Sequence, residues 1–224
     1  MQISPPTSEQ ELLCRVEKIA GLTLSQLANQ ISWSTPKNLL HNKGWIGQLL
    51  ETALGASAGS LSEPDFQNLG VELKTIPINM HGKAAETTYV CVVPLENHIG
   101  LSWTKSCVAR KLSRVLWIPI ESGSGIPLSE RRVGMGFIWS PNSSTLNILK
   151  SDWEELMEYV ALGQIDEIDA SYGDYLQIRP KAANAKARTV GISQSGKYKQ
   201  TLPRGFYLRT SFTNIIMSEF QNGK

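Results

Sequence analysis

The segment Val71-Glu72-Leu73-Lys74-Thr75 constrains this chain most, because its apolar and polar residues alternate and successive strand side chains point to opposite faces. Glu72 and Lys74 therefore share one face of a predicted strand. Asp65 lies just upstream in Pro64-Asp65, separated from that strand by the turn-forming Gln67-Asn68-Leu69-Gly70. A chain that folds back over this turn brings Asp65 beside Glu72, so that two carboxylates and one ammonium converge. Like charges held together are costly without a cation, and hard carboxylate oxygens suit Mg²⁺ or Mn²⁺. A cation held there would polarise a phosphate ester and make a water more acidic, which predicts metal-dependent phosphodiester hydrolysis. Lys74 is expected to orient the water or offset developing charge. Proton abstraction by Lys74 ranks second, since neighbouring carboxylates raise a lysine pKa. The competing reading of this spacing is a set of solvated charges at a strand edge.

The 224 residues, 41% hydrophobic and 19% charged, suit one compact domain or two closely packed lobes. No run of residues reads as a membrane span, and Met1-Gln2-Ile3-Ser4-Pro5-Pro6 lacks the regions of a signal peptide. A cytoplasmic protein without a membrane partner is expected. Cys14, Cys91 and Cys107 are odd in number and show no paired ligand spacing, which argues against a disulfide framework or a zinc site and predicts buried free thiols. His41, His81 and His98 are scattered, without a metal-binding repeat.

A formal net charge of +2 is too small to announce a nucleic-acid partner, but its distribution is uneven. Acids dominate from Asp152 to Asp174, and none occurs between Asp174 and Glu219. The acid-free stretch carries Arg179, Lys181, Lys186, Arg188, Lys197, Lys199, Arg204 and Arg209, interleaved with Tyr198, Phe206 and Tyr207. That composition suits a surface that tracks phosphates.

Helices are predicted after the capping box Ser8-Glu9-Gln10-Glu11, over 24–31, and over 44–54. The third buries Trp45, Ile46, Leu49, Leu50 and Ala53, turning Glu51 to a polar face from which it could reach the Asp65 site. Strands are expected over 87–93, 114–120, 133–139, 175–178 and 206–209, and a last helix over 213–220. Ser151-Asp152-Trp153-Glu154 reads as a second capping box, opening a helix that ends near Gly163. The segment 181–203, rich in Ala, Gly, Ser and Lys, is expected to be a loop that orders on binding. Together these elements predict an α/β (α+β) fold with a mixed sheet flanked by helices.

The run from Asp65 through Lys74 to Pro77, continued by Glu86-Thr87-Thr88-Tyr89-Val90-Cys91-Val92-Val93-Pro94-Leu95, closely resembles the MutH family of mismatch-repair endonucleases. That family lies within the PD-(D/E)xK nuclease superfamily. Lys43-Gly44-Trp45-Ile46-Gly47-Gln48 and Arg204-Gly205-Phe206-Tyr207-Leu208-Arg209 extend the similarity over essentially the whole chain. The resemblance implies a restriction-endonuclease-like, two-lobed clamp: one nuclease domain over 1–224, with a catalytic N-terminal half and a DNA-reading C-terminal half. It implies a catalytic group of Glu51, Asp65, Glu72 and Lys74 with Lys43 close by, and Mg²⁺ (Mn²⁺ substituting) held by Asp65, Glu72 and Leu73. Arg179, Pro180 and Lys181 would enter the major groove at GATC and Tyr207 would sense adenine methylation, while the acid-free run itself offers Lys186, Arg188, Lys197 and Lys199 as further DNA contacts. The implied activity is nicking of the unmethylated strand of hemimethylated GATC, 5′ of the G, by a monomer activated by MutL and indirectly linked to MutS. Two other functions fit the residues less well: a GATC-specific restriction nuclease cutting both strands, and a DNA-binding module whose nuclease site has decayed.

Overall fold

The computed structural model describes residues 3–39, 42, 44–59, 63–169, 171–181 and 186–223. In chain order the elements begin with α1 (Glu9–Ile19), α2 (Leu24–Gln30), α3 (Trp45–Leu54), β1 (Glu72–Ile78), β2 (Thr88–Val92), α4 (Cys107–Leu112) and β3 (Val115–Glu121). They continue with β4 (Phe137–Trp139), α5 (Ser143–Ala161), β5 (Leu176–Pro180), β6 (Thr189–Ile192), β7 (Tyr198–Thr201), β8 (Arg204–Leu208) and α6 (Thr210–Gln221). The mixed α/β class is as expected, but among the described residues the strands form two three-stranded sheets and a two-stranded ribbon instead of one mixed sheet. No helix among the described residues is long and apolar enough to cross a membrane.

The chain divides into two compact units. One comprises the residues through Glu86, Ser113–Ser140 and the end from Met217. In it β1 runs parallel to β3, and β3 antiparallel to β4, with Leu73 opposite Leu116 and Lys74 opposite Trp117. Alternation then sorts the sheet faces. Leu73, Leu116 and Ile118 join Leu12, Val16, Leu49, Leu50 and Leu54 in one apolar cluster, so the first three helices cover that face. Glu72 and Lys74 point to the other face, the one Trp117 lies on.

The second unit comprises Thr87–Leu112 and Pro141–Ile216. Here β8 is the central strand, antiparallel to β2 on one side and to β5 on the other. Two expectations fail in this unit. The helix read as starting at Ser151 begins at Ser143, because the Asn142 side chain accepts from Thr145 N at 2.9 Å and caps it there. Ser151 and Asp152 lie in its interior. The segment 181–203 is also no plain loop: β6 and β7 form a ribbon, turned where Ser193 N donates to Lys197 O and Gly196 N to Ser193 O. One further correction concerns Cys14, which is exposed; Cys91 is buried, Cys107 partly so, and none of the three is in a disulfide.

Candidate functional site

Asp65 returns to β1 as its turn residues require. Phe66 and Val71 bridge each other, Phe66 N donating to Val71 O at 2.9 Å and Leu69 N to Phe66 O at 3.0 Å. The carbonyl of Asp65 is held from the segment after α3, by Ser57 N at 2.9 Å and Ala58 N at 3.2 Å. Its side chain then reaches β1, where Oδ2 accepts from Leu73 N at 2.8 Å.

The strand dictates why Leu73 is the partner. Glu72 N donates to Arg114 O on the β3 side, so the alternate residue Leu73 turns its backbone N–H and C=O to the opposite edge. Asp65 therefore meets the same edge that carries the Leu73 carbonyl. On the sheet face, Lys74 Nζ holds Glu72 Oε1 at 2.5 Å. Glu72 is 1% exposed and Asp65 7%, so neither carboxylate keeps a full water shell, and burial makes the Glu72 and Lys74 charges depend on each other.

Two buried carboxylates and one carbonyl form a hard-oxygen set that leaves positions for water and phosphate oxygens. Mg²⁺ is ordinarily held in that way, by one or two carboxylates with substrate phosphates. The residues present therefore fit the ion. Glu51 stands on α3, partly exposed. Among the described residues no three His, Cys, Asp or Glu side chains gather into a metal-holding group. Lys43 lies outside the described residues.

The second unit carries a different constellation. Tyr207 on β8 pairs with Tyr89 on β2 and Gln177 on β5, and Arg179 pairs with Gly205. By alternation these side chains share the face away from Phe206, Leu208 and Ile178, which are buried. The Tyr89 and Tyr207 rings meet edge to face, 5.3 Å apart at 63°. Gly205 permits this, since a Cβ there would come within 2.9 Å of the Tyr89 ring and 3.1 Å of the Tyr207 ring. Lys181 Nζ sits 3.1 Å from the Tyr89 ring centre, a cation on an aromatic face. Arg179 Nη1 donates to Thr87 Oγ1 at 3.1 Å, and Arg179, Pro180 and Lys181 are all exposed. Burial pushes the Tyr207 phenol up, with the Arg179 guanidinium acting the other way, so it remains a neutral hydroxyl at physiological pH. Sequence reading missed Tyr89 as part of this face, although it lies two residues beyond Thr87 in a run already read as a strand.

Chain similarity decides the family. A family model described as DNA mismatch repair enzyme MutH matches residues 54–152, which include Asp65, Glu72 and Lys74. The DNA mismatch repair protein MutH of Shewanella baltica is 52% identical over 218 residues, covering 97% of this chain and 98% of that protein. The protein of that name from Escherichia coli is 53% identical over 216 residues, covering 96% and 94%. The chain belongs to the MutH family. Similarity to these MutH proteins at such coverage takes in both the β1 carboxylates and the Tyr207 face.

The remaining basic residues differ in availability. Lys186, Arg188 and Lys197 are exposed. Lys199 Nζ instead binds Asp166 Oδ2 at 2.9 Å, and Arg204 Nη2 binds Asp166 Oδ1 at 2.7 Å. The hydrogen bond from Lys199, with the nearby positive charges, holds the Asp166 carboxyl below its ordinary range. Lys199 thus shares the one Asp166 carboxylate with Arg204, and its charge is offset only in part.

Proposed function

We propose that this chain is a Mg²⁺-dependent endonuclease that nicks the unmethylated strand of hemimethylated GATC, 5′ of the G, and that MutL activates it. The pair of buried Glu72 and partly buried Lys74, beside Asp65 at the start of β1, carries this reading. A decayed site would have little reason to keep two carboxylates out of water with an ammonium against one of them. When bound by Asp65, Glu72 and the Leu73 carbonyl, Mg²⁺ supplies Lewis-acid stabilisation of the phosphate and a more acidic water. Lys74, fixed by Glu72, presents its remaining N–H donors to that water or to a phosphate oxygen, offsetting charge as it develops. Glu51 and Lys43 are assigned supporting charged roles around this group, on family resemblance.

Recognition is assigned to the second unit. Arg179 and Lys181, with Pro180 between them, contact the major groove, where a guanidinium matches the O6 and N7 acceptors of guanine. The Tyr207 ring lies against adenine N6, where a methyl group crowds it. The decisive assay incubates the protein and Mg²⁺ with plasmids bearing unmethylated, hemimethylated or fully methylated GATC, with and without MutL. Nicked circles from the first two substrates, more with MutL, are expected. Linear product without MutL would identify a restriction nuclease, and no product under any condition a DNA-binding module.

Tyr207→Ser should open room for the methyl group and narrow the rate ratio between hemimethylated and fully methylated GATC by about tenfold. Tyr207→Phe, which keeps the ring, should retain most of the discrimination. Full discrimination in a folded Tyr207→Ser protein would remove Tyr207 from the reading face, and a loss of folding would mark it as a core residue.

Lys186→Ala with Lys197→Ala should weaken binding to every duplex alike and reduce the salt dependence of log K by roughly 0.9 per lost phosphate contact. Lys199→Ala should change that slope less, because Asp166 already offsets part of its charge. Equilibrium binding at several salt concentrations measures both. An unchanged slope in the double variant would make this stretch a solvated surface only.

A further inference from the structure

Asp152 sits in the interior of α5 and is 5% exposed, a costly place for a carboxylate unless hydrogen bonds replace its water. Three backbone donors do so. Oδ1 accepts from Asp174 N at 2.9 Å, and Oδ2 from Tyr175 N at 2.7 Å and Leu176 N at 2.8 Å. Arg209 grips the same turn through its carbonyls, Nε donating to Gly173 O at 2.8 Å and Nη2 to Tyr172 O at 2.7 Å. Its own N–H donates to Tyr175 O at 2.9 Å. The turn is tight: Gly173 has φ +74°, and a Cβ there would lie 2.0 Å from Leu176 O. An acid thus collects the N–H groups and a base the C=O groups, each matched to its own charge.

We infer that Asp152 and Arg209 are positioning residues for base reading, an inference that rests on the assignment of Arg179 and Tyr207 above. Leu176, held by Asp152, is the first residue of β5 and pairs with Leu208, the residue before Arg209. The clamp therefore closes the sheet where β5 enters it and sets the register that places Gln177 opposite Tyr207 and Arg179 opposite Gly205. A slip of one residue would send Gln177 and Arg179 to the apolar face of Phe206 and Leu208 and turn Ile178 away from it. Base contacts demand placement within a fraction of an ångström, whereas phosphate contacts carry no sequence information. Loosening the clamp should cost discrimination more than affinity. This also removes Arg209 from the phosphate-contacting set, since its guanidinium is engaged by the turn.

The test uses the full chain carrying Asp152→Asn, which presents an amide donor to a backbone donor, or Arg209→Lys, which keeps the charge and loses the two-carbonyl grip. Nicking rates are compared on GATC duplexes and on duplexes with one base pair of the site changed, well below the melting temperature of each protein. The preference for GATC is expected to fall about tenfold, the scale of one base contact. Binding to the altered duplex should stay within about twofold, because phosphate contacts are untouched. In an Arg179→Ala background, Asp152→Asn should lower the preference by less than it does alone, since one of the contacts it positions is already gone. Equal losses on both duplexes, or an undiminished preference, would overturn the clamp. If Asp152→Asn does not fold, Arg209→Lys is judged by the same ratio. Should Arg179→Ala itself keep the full preference, the underlying assignment of Arg179 fails, which is a distinct result.

Discussion

Asp65→Asn and Glu72→Gln proteins are expected to nick GATC plasmids about 10³-fold more slowly than the parent chain, the equivalent of roughly 4 kcal/mol of lost metal-assisted stabilisation. Both should bind the same duplexes almost as tightly, since neither residue lies on the Tyr207 face or among the exposed cations. The amide variants are preferred to alanine because Asn at 65 keeps an oxygen that can accept from Leu73 N, and Gln at 72 keeps the buried volume. Single-turnover nicking and equilibrium binding in Ca²⁺ would be measured together. Normal cutting by either variant would dismiss the β1 carboxylates as the active site; parallel loss of cutting and binding would show that they serve folding.

Lys74→Ala is expected to lower the nicking rate about 10²–10³-fold, the range seen when one preorganised donor is removed from a reacting charge. It should also strip Glu72 of the ammonium 2.5 Å away. Removing the ammonium from a buried carboxylate is destabilising, so the variant should melt earlier in chelator. Mg²⁺ should then restore more stability to Lys74→Ala than to the parent chain, because the ion takes over as counter-charge to Glu72. Thermal melts with and without Mg²⁺ read this independently of activity. An equal Mg²⁺ response in the two proteins would separate Lys74 from the metal site.

The β1 site was legible because its information is local. Alternation over 71–75 sets which side chains share a face, and four turn residues bring Asp65 back; only the hydrogen bond to Leu73 N had to be seen. The stripe of α3 was legible for the same reason, being a single amphipathic face. The start of α5 was misread because Ser151-Asp152-Trp153-Glu154 has capping chemistry wherever it occurs, and nothing nearby says that Asn142 has already started the helix. The β6 and β7 ribbon was hidden by weak alternation among Ala, Gly, Ser and Lys. Arg204 and Arg209 looked like surface charge until Asp166 and the carbonyls of Tyr172 and Gly173 claimed them.

By itself the sequence determined the chemistry available: hard carboxylates with an ammonium on one strand, an acid-free basic stretch, and a family resemblance extending across both. Tertiary structure alone decided how those groups are used. Asp152 finds its donors 22 to 24 residues away, Arg179 its hydroxyl partner 92 residues away, and Tyr207 meets Tyr89 only because β8 lies between β2 and β5. The period of a strand or helix is written in neighbouring residues, but the partner of a charge or a ring depends on which distant segments the core draws together, and burial then sets what that pairing is worth.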